Sequence, residues 1–337
     1  MKVAILIPTM ARPDFIERTV HYYHLSECTH PIYIGDASNK DGASRITAFL
    51  NRYPKLDIHY FHWEGLGVIE TIVRLAEEAV TDCSYCAFQG DDDYFVPASL
   101  TMCAQFLSKD YSYRTAQGKA ALFMLDRPGA YGNLRSVADY WGINELELDS
   151  GEARFRYFAQ HYFVTQFSVH RTVEFLDDSV HFQAFRDSVL SELLHCFTFA
   201  IMGKSKFLDC LFLVRNSHDG RAEFYLSDRV KLQHFAPDYK LMIDALTNAL
   251  HKSDGMPHHL GRQLVSDVMK RRVESVNTKP PINRRANVFV RARRALPVRV
   301  KSFLWAIILD TRDLRLLVSQ KSHYFDDFQP ILQSIRR

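Results

Sequence analysis

The N-terminal part of the chain alternates repeatedly between a short apolar run and a segment whose apolar residues recur at helical spacing. No other feature restricts the fold as strongly. Residues 3–7 form a continuous apolar run, as a strand covered on both faces of a parallel sheet would. Pro13 then stands where a first helical turn begins, with Phe15, Ile16, Thr19, Val20 and Tyr23 on one side. Residues 32–34 predict a second strand, ended by Gly35 and Asp36, and residues 44–53 a helix with Ile46, Phe49 and Leu50 on its inner face. A third strand is predicted at 58–61. Gly65 and Gly67 break the chain before an amphipathic helix carrying Ile69, Ile72, Val73, Ala76 and Val80. The fourth strand, 85–88, runs directly into Gly90, Asp91, Asp92 and Asp93. Strand–helix repeats of this kind predict an α/β fold with a doubly wound, largely parallel sheet. In such sheets ligands bind beyond the carboxyl ends of the strands, where both Asp36 and the aspartate run are expected.

Past Pro97 the sequence predicts a helix to Leu107, a strand at 120–125 and a long loop over 127–150. A strand at 162–169, a helix over 185–202 ended by Gly203 and an apolar run at 207–214 follow. Beyond about residue 225 only helices are predicted, broken near Gly255, at Pro280 and Pro281, and at Pro297. The expected organisation is a sheet-based domain over 1–225 and a helical region over 226–337.

With 47% hydrophobic and 24% charged residues, the chain of 337 residues matches an ordinary globular protein. No stretch reaches the ~20 apolar residues of a membrane span, and the N-terminal run is too short for a secretion signal. A cytoplasmic protein is expected. The net charge of +3 gives no reason to expect nucleic acid as a partner. Between Lys279 and Lys301, however, eight basic residues occur without an acidic one. They are interleaved with Val288, Val290, Leu296, Val298 and Val300 and followed by Phe303 and Trp305. The 279–305 stretch is either a contact with an anionic membrane surface or a helical pair packed on the rest of the protein. Six scattered cysteines, including the Cys83 and Cys86 pair, are expected as free thiols.

Three adjacent aspartates at a strand end repel one another, and a divalent cation offsets that repulsion. Mg²⁺ and Mn²⁺ favour carboxylate oxygens and use their remaining positions for substrate phosphates. An Asp run alone is as readily a solvated turn; its place after an apolar strand points to a metal site.

The stretch from Val3 to Pro13 (VAILIPTMARP) resembles the opening of family 2 glycosyltransferases of the GT-A fold. Gly35, Asp36, Ala37 and Ser38 are similar to that family's second-strand aspartate, and residues 90–97 (GDDDYFVP) resemble its Asp-x-Asp signature with the following proline. The resemblance covers roughly 1–220. It implies a GT-A (Rossmann-like) sheet flanked by helices, a nucleotide-sugar donor and Mn²⁺ or Mg²⁺. Pro8, Thr9 and Arg12 would line the nucleotide pocket, and Asp36 would hold the base or ribose. Asp91 and Asp93 would bind the metal and the donor diphosphate. Aligning on Pro97 instead places Gly90 at the family's first aspartate and makes Asp92 the alternative to Asp91.

Inverting sugar transfer needs a general base for the acceptor hydroxyl. The family places this acid near a helix start some turns before a glycine, which implies Glu192, with Asp187 one turn earlier as its rival. A histidine that closes over the metal in many GT-A enzymes corresponds to His218. Arg215 and Arg221 would neutralise the leaving diphosphate. His161 and His170 are either acceptor-side or structural. The resulting expectation is a metal-dependent, inverting glycosyltransferase moving a sugar, with UDP as the default carrier, to a glycan or lipid-linked acceptor. A sugar-phosphate nucleotidyltransferase would show a Gly-rich phosphate loop, which residues 8–11 lack; a non-catalytic glycan-binding protein of the same fold is the third reading.

Overall fold

Every residue of β1 (Ala4–Thr9) is buried, because parallel strands lie against it on both edges and helices cover both faces. Its neighbours are β2 (Ile32–Asp36) and β4 (Tyr85–Phe88), and β3 (Ile58–His62) lies beyond β2. The computed structural model describes residues 1–140, 145–179, 188–218, 236–278 and 322–336, with isolated positions 181, 185, 317, 319 and 320. Proline is tolerated in this central strand for a local reason. The backbone of Ile5 bonds towards β2, so Pro8 faces β4, whose pairing ends at Leu6 and Phe88. The missing N–H therefore falls where the two strands part.

The connections are α1 (Pro13–Leu25), α2 (Lys40–Leu50) and α3 (Val68–Ala79). Pro13 starts α1, where its absent N–H costs nothing. Asn39 caps α2 through Gly42 N, which moves its start ahead of the expected 44. Thr71, Ile72, Leu75, Ala76 and Ala79 form the buried stripe of α3. Gly35 permits this packing, since a Cβ there would sit 2.4 Å from Thr71 Cγ2.

The strand order is β3-β2-β1-β4-β8-β6-β9-β5, with β7 paired to β6. The chain proceeds outward from β1 to β3 and then returns to the other side of β1 as β4. That reversal is a topological switch point, with its crevice at the carboxyl ends of β1 and β4. Past β4 come β5 (Tyr94–Phe95), α4 (Pro97–Leu107), β6 (Tyr113–Leu125), β7 (Leu134–Asp139), α5 (Gly151–Gln160), β8 (Val169–Arg171), α6 (Thr172–Ser179), α7 (Ser188–Met202) and β9 (Lys204–Asn216). Here the sheet is mixed: β6 and β9 are parallel, whereas β8 runs antiparallel to β4 and β6.

Three local expectations change. Strand β6 extends well before residue 120, because Thr115 and Gln117, polar in sequence, are buried against neighbours, and Gly118 lets the Cys210 backbone approach. The expected loop at 127–150 contains β7, a strand set by pairing with β6 across a bulge at Met124 and Leu125. Of the strand expected at 162–169 only Val169 lies in a strand, as the first residue of β8. Phe163 and Phe167 point into the core while Tyr162 and Gln166 turn to Glu192, so the alternation reflects two environments rather than a ladder.

Helices α8 (Ala236–Asp254) and α9 (His258–Thr278) are separated at Gly255, which has φ +67°. With α5 and α7 they form a core around Phe155, Phe158, Phe197, Met242, Leu246 and Val265. Phe197 meets Phe155 and Phe158 edge-on, with centroids 5.3 and 5.6 Å apart. Each such ring contributes roughly 1.5–3 kcal/mol by leaving water. The last helix, α10 (Phe325–Ser334), packs on α1, and its Phe328 and Ile331 join the core beneath β1. All six cysteines are buried and free. Among the described residues no helix is long and apolar enough to cross a membrane. The 279–305 stretch lies outside the described residues.

Candidate active site

Four strand ends converge at the switch point. Thr9 ends β1, Asp36 ends β2, the aspartate run follows β4, and Asn216 ends β9, with Ser217 and His218 directly after it. All three carboxylates of the run are buried, and each is met by different partners. Asp91 accepts a hydrogen bond from Thr9 Oγ1 at 2.8 Å and from Arg12 Nη1 at 2.5 Å. Asp92 Oδ2 lies 3.1 Å from Arg12 Nη2 and 2.7 Å from His218 Nε2. Asp93 is fully enclosed: Arg215 Nε donates to Oδ2 at 2.9 Å and the Asn216 backbone N–H to Oδ1 at 3.1 Å. Burial pushes the Asp91 carboxyl up to about 7, against the opposing pull of Arg12 and Thr9 and with the repulsion of Asp92 adding to it.

The loop that carries these groups is held from beneath. Arg18, fully buried in α1, donates from Nη2 to Asp92 O and from Nη1 to Ala130 O, each at 2.7 Å. Thr19 Oγ1 donates to Asp91 O at 2.9 Å. Gln89 Nε2 donates to Asp93 O at 2.9 Å, and Tyr94 OH pairs with Ser334 Oγ of α10. The turn after β1 is equally fixed. Ala11 adopts φ +55°, rare for a residue with a Cβ, and its N–H is received by Ser38 Oγ at 2.8 Å. Arg12 is thereby delivered to the carboxylates, lying over the Phe15 ring at 4.0 Å.

Asp36 has no exposed surface. Its Oδ1 accepts from Ser38 N at 2.8 Å and its Oδ2 from Tyr60 OH at 2.7 Å. Tyr60 also lines, with Lys40, Ser44, Thr47, Asn51 and His62, an open groove of about 570 Å³ against α2.

On the opposite side of the aspartates, Arg215 joins two groups. It engages Asp93 and Tyr140 OH, and its guanidinium lies over the Phe167 ring at 4.4 Å. The Glu192 carboxylate of α7 is half-buried and takes Tyr162 OH at 2.9 Å on Oε1 and Gln166 Nε2 at 3.3 Å on Oε2. Burial raises its pKa, while Tyr162, the Arg215 charge and Gln166 hold it down.

Thr9, Arg12, Asp91, Asp92 and His218 therefore form one hydrogen-bonded group and Asp93 with Arg215 a second beside it, with Asp36 on the β2 flank and Glu192 on the β9 flank. Pro8 precedes Thr9 in the fully buried β1. Asp187 and Arg221 lie outside the described residues. His161 caps α5 through Tyr157 O, away from these partners. His170 is buried between Phe175, His195 and Phe199, and its imidazole is pushed down to about 3 by burial, helped by the Arg114 charge. Sequence inspection did not reach Arg18, Tyr60, Tyr140, Tyr162 or Gln166. Only Arg18 and Tyr60 carried a signal: each is a polar residue at a position whose neighbours read as buried.

A metal centre was expected among Asp91, Asp92, Asp93 and His218. Among the described residues no group of three or more His, Cys, Asp or Glu side chains is disposed to hold an ion. Asp91 is engaged with Thr9 and Arg12, and Asp93 with Arg215 and the backbone. Asp92 and His218 bring a carboxylate and an imidazole together, but Arg12 Nη2 lies 3.1 Å from both Asp92 Oδ2 and His218 Nε2, so a divalent cation held by this pair would take the place of the guanidinium.

Strand order, switch point and the helices around them define the GT-A fold. The solved structures it is similar to include residues 1–349 of S. aureus TarS in complex with UDP-GlcNAc, at 15% identity and a TM-score of 0.51 over 99% of this chain and 90% of that one. The same S. aureus TarS segment in another crystal structure gives 14% identity and 0.50 over the same shares of the chains. Against S. aureus TarS at greater length the values are 14% and 0.50, over 99% of this chain and 55% of that one. No family model matches the chain, and no curated protein matches it.

Proposed function

We propose that the protein is an inverting glycosyltransferase that takes a sugar from a nucleoside-diphosphate donor, with UDP as carrier, and passes it to a hydroxyl of a glycan or lipid-linked acceptor. One juxtaposition carries this reading. Asp92 and His218, 126 positions apart, meet at 2.7 Å beyond the strand ends of a sheet that shares the fold of a protein solved with UDP-GlcNAc.

In this reading Asp36 and the turn bearing Ala11 and Ser38 receive the nucleoside, and Thr9 and Arg12 face its diphosphate. Asp92 and His218 would hold a divalent cation, Mn²⁺ or Mg²⁺, which when bound would supply charge neutralisation for the departing diphosphate. Arg12 and Arg215, on either side of the aspartate run, add guanidinium donors, whose fork of N–H groups matches phosphate oxygens. Glu192 accepts the acceptor's proton as its oxygen bonds to the anomeric carbon. The bond from that carbon to the diphosphate oxygen breaks, and its electron pair leaves with the diphosphate. Burial raises the pKa of Glu192 and so makes it a stronger proton acceptor than an exposed carboxylate. Residues 1–225 would carry donor and base, with 226–337 as the helical support. The basic 279–305 stretch would meet anionic lipid when the acceptor is membrane-borne.

Titration calorimetry of UDP, with and without Mn²⁺, tests the assignment. Mn²⁺ is expected to tighten binding in the natural protein and to have no effect in a folded Asp92→Asn variant. Equal affinities in all four measurements would overturn the proposal.

A further inference from the structure

The carboxylate of Glu192 is served by two neutral donors, one on each oxygen, and the better placed of them is itself clamped. Tyr162 follows α5 and sets its ring among Phe158, Phe197 and α9, so that only the hydroxyl reaches the carboxylate. Burial raises the phenol well above 10, with the nearby Cys196 and Glu192 adding to it. The hydroxyl is therefore a permanent donor. Arg272 of α9 lies over the ring, 4.7 Å from its centroid, and its Nη1 donates to Ala159 O at 2.7 Å. The guanidinium is anchored to the last turn of α5 while it presses on the phenol from a helix distant in sequence. A cation over the ring withdraws electron density and strengthens the O–H as a donor.

We infer that Tyr162 is the positioning residue for Glu192, fixing its rotamer and favouring its ionised form, and that Arg272 acts through Tyr162. Helix α9 is thereby part of the base apparatus rather than a distant prop. The inference rests on the assignment of Glu192 as base. The groups that face Glu192 are Tyr162 and Gln166 from the segment before β8, Arg215 from β9, and Cys196 from its own helix, with Arg272 behind Tyr162. Of these, Arg215 is committed to Asp93 and Gln166 makes the longer bond, which leaves Tyr162 as the principal control.

Steady-state turnover across pH, with UDP binding measured in parallel, tests the relay. Glu192→Gln comes first: if it turns over normally, the base assignment itself fails. With that variant inactive, Tyr162→Phe keeps the ring and its cation and removes only the hydroxyl. The acid limb of kcat is expected to move up by about one pH unit, the size of one hydrogen bond to a charged group. UDP affinity is expected to stay within about twofold. Arg272→Met is expected to move the limb in the same direction by less, and Arg272→Lys to restore it. An unmoved limb in Tyr162→Phe, beside an inactive Glu192→Gln, would overturn the inference and leave the base assignment standing. Should Arg272→Met fail to fold, the Tyr162→Phe profile decides alone.

Discussion

The aspartate run and Glu192 meet opposite surroundings. At β1 and β4 the aspartate run meets basic side chains: Arg12 touches Asp91 and Asp92, His218 touches Asp92, and Arg215 touches Asp93, whereas Asp36 on β2 is held by the neutral Ser38 N–H and Tyr60 hydroxyl. On the β6–β9 side, Glu192 stands in an aromatic surround, and its hydrogen bonds come from neutral Tyr162 and Gln166. A carboxylate flanked by cations belongs to a charge network built to hold other charges. Glu192, by contrast, has its pKa raised by burial, while its neutral donors and the Arg215 charge favour the ionised form. In the proposed reaction this difference separates a binding side from a chemical side, and it can be broken experimentally.

The largest expected effect is on the chemical side. Glu192→Gln keeps the shape of the side chain and removes its basicity, and kcat is expected to fall by about 10²–10⁴-fold, the usual contribution of a positioned base. UDP affinity, measured by calorimetry, is expected to change less than about twofold. A parallel loss of binding would erase the division between the two sides. Asp92→Asn should do the reverse. Removing one charge from the Asp92 and His218 pair is expected to weaken Mn²⁺-dependent UDP binding by about 10–100-fold, on the scale of disrupted metal-site contacts. Retained Mn²⁺ dependence would move the ion away from Asp92.

The same division explains what the sequence could reveal. The binding side was legible because its residues end consecutive strands, and strand, turn and aspartate follow one another within a few positions. Asp36 and Asp91 were found this way, and strands β1, β2 and β4 follow from short, mainly apolar runs. The chemical side depends on segments far apart in the chain. Tyr162 and Gln166 belong to a stretch whose alternation imitates a strand, and Arg272 sits in a helix where one arginine among several draws no notice. Strand β7 was hidden for a related reason: it is stabilised by pairing with β6, a contact that residues 134–139 do not announce. Within the aspartate run, sequence left the choice between Asp91 and Asp92 open. Geometry now distinguishes their neighbours, because the partner of Asp92 arrives from position 218.

A smaller effect is expected at the edge of the binding side. Asp36 is fully buried and held by Ser38 N and Tyr60 OH, so its replacement leaves two donors without an acceptor. Asp36→Asn restores one acceptor but not the charge, and UDP affinity is expected to fall about tenfold, on the scale of one charged hydrogen bond. Binding of inorganic diphosphate with Mn²⁺ should be unaffected. A loss of both would show that Asp36 supports the fold of the site rather than the nucleoside.

The mildest prediction concerns stability on the chemical side. His170 is buried neutral beside His195, Phe175 and Phe199, with its pKa pushed down to about 3. Unfolding returns it to about 6.5, so below that pH the unfolded chain binds a proton that the folded one refuses. The sign follows: stability is intact above pH 6.5 and is lost as pH falls from there towards 3. Between pH 6.5 and 5.5 this one group is expected to remove about 1 kcal/mol. Urea unfolding of the natural protein and of His170→Leu at both values isolates its share, since other titrating groups are common to the two chains. His195, whose pKa is also well below the ordinary value through burial, with the neighbouring His170 adding to it, is expected to leave the variant with part of the acid sensitivity. Equal losses in both proteins would mean that the imidazole of His170 is protonated inside the fold, and that the aromatic wall behind α7 is open to water.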